Sequence, residues 1–174
     1  MRNFFPRILG ALAIHAVLAA LFWALIRFVL IGQDSLATDL LTRLDGDPAA
    51  AQAYVDEVTG DALVVGFGGL LVGALLASFW LFTVYRKPPI GDADASSRRT
   101  PWAVALLVTL VAALGFAWAR LIGAPVAALL RSGVPTEVTA VALMLVLAGY
   151  WLATALFAPS STKVAVPGGT LLGR

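Results

Sequence analysis

The sequence predicts an all-α fold: a polytopic four-helix transmembrane bundle with short amphipathic surface helices on the outer side. Three observations carry this expectation: four long apolar runs, a composition that is 60% hydrophobic and 13% charged, and a mean hydropathy of +0.91. A soluble domain of 174 residues does not need so much apolar surface. The runs are Ile8 to Ile31, Ala62 to Tyr85, Trp102 to Ala119 and Val138 to Ala158. At about 1.5 Å of rise per residue they cover roughly 27 to 36 Å, which brackets a hydrocarbon core about 30 Å thick. Leu121 and Ile122 extend the third run past Arg120, whose long side chain can snorkel outward. The spans are therefore placed at about 8–31, 62–85, 102–122 and 138–158 within a single membrane domain, 1–174.

The first span follows Arg2 and Arg7, as a signal peptide follows its basic n-region. Its 24 apolar residues exceed the roughly 7 to 15 of a cleavable h-region. A retained signal anchor is expected. The outer helical segment, 32–60, comes next. Leu36, Leu40, Leu41 and Leu44 form a stripe at helical spacing beside acidic residues. Asp47 and Pro48 then supply an N-cap and a first-turn proline for a second short helix ending at Gly60. Both helices are expected to lie on the membrane, as a cap over the bundle or a docking surface. The inner loop, 86–100, and the tail, 159–174, are rich in Pro, Gly and Ser and read as flexible polar segments. The connection from Gly123 to Pro135 reads as one or two apolar turns at the interface.

Charge sorts by side. Eight basic residues, Arg2, Arg7, Arg86, Lys87, Arg98, Arg99, Lys163 and Arg174, share one side with only Asp92 and Asp94. The other side holds four arginines against eight acids. Basic loops stay cytoplasmic, so both termini are expected inside a bacterial-type inner (plasma) membrane. Because the basic pI of about 9.4 reflects this asymmetry, nucleic acid is not expected as a partner. Trp80, Tyr85, Trp102, Tyr150 and Trp151 fall toward the inner helix ends, and Trp23 and Trp118 toward the outer ends, as interfacial anchors would.

Small residues encode packing. Gly69, Gly73 and Ala77 stand four apart in the second span, and Ala105, Thr109 and Ala113 in the third. Such faces let two helices approach closely, so the second and third helices are expected to pair, or one seam to meet another subunit.

Chemistry is sparse. With no cysteine there are no disulfides, thiolate metal sites or dithiols. No acid lies inside a span, which counts against a carboxylate-based ion carrier and against a metal site of clustered His and carboxylates. Ser78, Thr83, Thr109 and Thr154 have no accompanying base and are expected to bond backbone carbonyls. No catalytic residues, metal ligands or cofactors are assigned. Arg27, Asp61, Arg120 and Glu137 fall at similar depth near the outer helix ends, and are expected to form a ring of alternating charge that ties helices together or holds an anionic headgroup.

His15 is the one intramembrane group outside the helix ends. Its setting, Ala11-Leu12-Ala13-Ile14-His15-Ala16-Val17-Leu18-Ala19, has small residues four before and four after. It resembles the helices of bacterial light-harvesting polypeptides, a resemblance that implies bacteriochlorophyll ligation by this histidine. The resemblance covers about nine residues, and four spans depart from those single-span polypeptides. A neutral His15 hydrogen-bonded within the bundle is the expected state, with cofactor binding through His15 as the alternative.

The expected function is that of a non-enzymatic accessory or structural subunit of a larger membrane complex. Its expected partners are membrane lipids and other integral membrane subunits or a second copy. A small oligomeric transporter or channel component is the alternative, and a pigment- or haem-binding subunit through His15 a third reading.

Overall fold

The computed structural model describes residues 4–30, 47–123 and 134–172. Helix α1, Phe4–Leu25, continues into a π turn, Ile26–Leu30; α2 is Pro48–Arg86, α3 is Asp92–Ser97, and α4, Arg99–Ala117, continues into a second π turn, Trp118–Ile122. Helix α5, Val134–Phe157, is followed by two 3-10 turns, Ser160–Ala165 and Gly169–Leu172. No strand occurs among the described residues. Helices α1, α2, α4 and α5 are each long and apolar enough to cross a membrane, compatible with an integral membrane protein. The leucine stripe at 36–44 and the connection at 124–133 lie outside the described residues.

Helices α2 and α5 form the central pair, and α1 and α4 each pack against both. Burial follows this order: the most apolar windows of α2 and α5 are 44% and 39% buried, those of α1 and α4 17% and 22%. The core has three levels. Phe22, Ile26, Val58, Val65, Leu121 and Val138 fill the acidic end, Leu70, Ala113 and Val146 the middle, and Ala11, Leu81, Trp102, Tyr150 and Val166 the basic end.

The middle level is thin because glycines bring the backbones together. A methyl group added at Gly69 of α2 would come within 3.0 Å of both Ala113 of α4 and Val146 of α5. Gly66 receives the Phe22 ring of α1, Gly68 the Phe116 ring of α4, and Gly10 the Phe157 ring of α5. At this level the bundle axis is closed by backbone and methyl groups.

Three expectations are corrected. Asp47 does cap a helix, accepting from the Ala49 and Ala50 amides at 2.9 and 3.2 Å, with Pro48 in the first turn. That helix does not stop at Gly60 as a separate surface element. It runs 39 residues to Arg86, about 58 Å, so its first turns extend well beyond a hydrocarbon core of about 30 Å. An interior glycine costs a helix only about 1 kcal/mol. Burial of Val58, Ala62 and Val65 on one face across Gly60 offsets that.

The inner loop and tail are also more structured than their composition implied. Helix α3 buries Ala95 and packs against the Ser160–Ala165 turn, and the Arg99 guanidinium donates to the Val164 carbonyl at 3.1 Å. The tail carries Thr162, Ala165 and Val166 into the core of the basic end. Finally, Trp80, Trp102 and Tyr150 are core residues, 3%, 5% and 0% exposed, instead of interfacial anchors. Trp23 and Trp118, at 46% and 65%, keep the surface exposure expected of anchors.

Candidate functional site

His15 is the most unusual side chain in the bundle. It is 4% exposed, at the crossing of α1 with α2 and α5. Its Nδ1 lies 2.9 Å from the Ala11 carbonyl one turn earlier. A carbonyl only accepts, so Nδ1 carries the proton, and in the neutral imidazole Nε2 keeps the lone pair. Among the described residues Nε2 has no hydrogen-bond partner. It faces two glycines: a Cβ at Gly73 or at Gly149 would stand 3.3 Å from it. The imidazole fits only because α2 and α5 both present bare backbone there. Its Nε2 edge is bordered by the backbones of α2 and α5 at Gly73 and Gly149. His15 also lines a groove of about 360 Å³ between α1 and α2, together with Leu12, Ala16, Ala19, Phe67 and Leu71 among others, and the groove presents only apolar surface.

The small-residue faces meet as follows. Gly69 lies against Ala113, and Gly73 against both Thr109 and His15; Ala77 is fully buried and Ala105 packs on the same basic-end core. The α2 face thus serves α1 and α5 as well as α4. Among the hydroxyls, Thr83, Thr109 and Thr154 donate to the carbonyls of Trp80, Ala105 and Tyr150, while buried Ser78 Oγ has no partner among the described residues.

Of the four residues in the charge ring, the structure brings two into contact. Arg120 Nη1 is 3.4 Å from Asp61 Oδ1, linking the α4 π turn to α2. Glu137 stands in the first turn of α5, where the helix dipole favours an acid. Arg27 is exposed on the other π turn.

Two polar clusters at the basic end were not anticipated. The Trp102 indole donates to Thr154 Oγ1 at 2.9 Å, and Tyr150 returns a hydroxyl to the Trp102 carbonyl at 3.1 Å, stitching α4 to α5. The last carbonyls of α5 are captured similarly: Phe157 O accepts from Tyr85 at 2.8 Å and from Arg7 at 3.4 Å, with the Arg7 guanidinium over the Tyr85 ring. A cation at a helix C-terminus is favoured by the dipole. The available signal was that Trp102, Tyr150 and Thr154 share one depth, with Tyr150 and Thr154 one turn apart.

Chemically the clusters hold helices together. Among the described residues no three His, Asp or Glu side chains gather to hold a metal ion. No family model, curated protein or solved structure matches the chain.

Proposed function

We propose that this protein is a non-enzymatic accessory or structural subunit of a larger assembly in a bacterial-type inner membrane, with both termini cytoplasmic. The observation that carries the reading is the filled axis at Gly69, Ala113 and Val146, which among the described residues leaves no polar path through the middle of one chain. Apolar surface is presented outward instead. Helix α4 exposes Val104, Leu107, Val111 and Leu114, and α1 exposes Leu9, Val17 and Leu21, broad faces that lipid or a neighbouring subunit's helices can cover. The basic end adds a docked tail and rigid aromatic stitching, which suit a scaffold held in one shape.

The test is a photo-crosslinking amino acid placed singly at Leu107 or Val111 of α4 in native membranes. A discrete crosslink to another integral protein is expected. Crosslinks to lipid alone at both positions would contradict the reading, and substrate-dependent flux in liposomes would move the function to transport.

A further inference from the structure

We propose that Arg27, together with Trp23 and Phe28, binds the phosphate of a phospholipid headgroup in the leaflet at the acidic end of the bundle. The inference goes beyond the subunit reading and does not depend on it. Helix α1 changes at Ile26 into a π turn, whose hydrogen bonds span five residues instead of four. The wider turn brings Phe28, five residues on, against Trp23, with ring centroids 5.9 Å apart and planes at 89°. Arg27 is four residues from Trp23 and shares that side. The turn is two-faced: Ile26 is fully buried, while Trp23 and Phe28 are 46% and 69% exposed and Arg27 is exposed beside them.

The contrast with the second arginine at this depth decides the matter. Arg120 also stands on a π turn after an exposed tryptophan, and Asp61 meets it at 3.4 Å. Arg27 has no acidic partner among the described residues. The dipole at the end of α1 makes a cation tolerable there, and among the described residues no acid meets its five N–H donors. A guanidinium at the edge of the hydrocarbon snorkels toward an anion, and the anion the bilayer supplies at that depth is phosphate. The planar fork matches two phosphate oxygens, while an indole beside it favours the same headgroup layer. The recognised chemistry is the phosphate group.

The test is native mass spectrometry of the full chain in detergent, with phosphatidylglycerol, a diacylglycerol with the same acyl chains, or inorganic phosphate added. Wild type, Arg27→Gln, Arg27→Lys and Arg120→Gln are compared. One phospholipid adduct is expected, weakened about tenfold in Arg27→Gln, less in Arg27→Lys, unchanged in Arg120→Gln, and absent with diacylglycerol. Arg27 is exposed, so these variants leave the core intact, and Arg27→Lys keeps the charge while losing the fork. An adduct unaffected by Arg27→Gln, equal weakening in both glutamine variants, or displacement of the lipid by inorganic phosphate would overturn the proposal.

Discussion

At the residue scale, His15 is held by shape more than by polarity. One nitrogen is satisfied within α1, and the other faces Gly73 and Gly149 without a partner among the described residues. Leucine at this position would lose one hydrogen bond but also remove an unpaired buried acceptor. His15→Leu is therefore expected to stay within about 1 kcal/mol of wild type in thermal unfolding in detergent. A much larger loss would mean that Nε2 has a ligand in the cell. Filling its socket is the opposite case. Gly73→Leu or Gly149→Leu forces a side chain into space already held by the imidazole, and should destabilise by about 1 to 3 kcal/mol, again read by thermal unfolding. Trp102→Phe removes the donor to Thr154 and should cost about 0.6 kcal/mol, the usual size of an interhelical hydrogen bond in a membrane. His15's depth was legible in the sequence because hydropathy places it. Its glycine socket was not, since Gly73 and Gly149 belong to two other helices and meet it only in the packed bundle.

At the element scale, α2 shows where local signals mislead. Asp47 and Pro48 mark its start, but Gly60 was read as its end when the helix passes straight through. A glycine stops a helix when the chain turns there, and burial on both sides of Gly60 keeps the chain straight. Among the described residues, nothing outside its own helical turn lies within 4 Å of a Cβ added at Gly60. Gly60→Ala should therefore stabilise by up to about 1 kcal/mol, whereas Gly60→Pro should cost about 3 kcal/mol, both measured by thermal unfolding. If Gly60→Pro were harmless, 48–60 would be an independent surface helix after all. The four apolar helices were legible because span length and hydropathy are set by the bilayer. The docked tail was not, because Thr162, Ala165 and Val166 gain their burial from contacts far away in sequence.

At the scale of the whole molecule, charge asymmetry carries the proposed orientation and the closed axis the proposed role. Because the chain has no cysteine, single-cysteine variants report topology directly. In intact cells Gln52→Cys, on the exposed face of α2 beyond the span, should react with a membrane-impermeant maleimide. Ile90→Cys, at a position 98% exposed at the basic end, should react only after permeabilisation. The reverse pattern would invert the protein. Composition made the membrane class and the scarcity of ionisable groups within the spans legible, while a proposed partner is not legible because outward apolar faces look alike whether lipid or protein covers them. The most direct measurement is mild-detergent purification of the tagged protein from its native membrane, with mass spectrometry of the co-purifying chains and an absorption spectrum. A colourless preparation with a stoichiometric integral membrane partner is expected. A protein that purifies alone or only as copies of itself, or one that carries a pigment or haem band, would contradict the proposed role of accessory subunit.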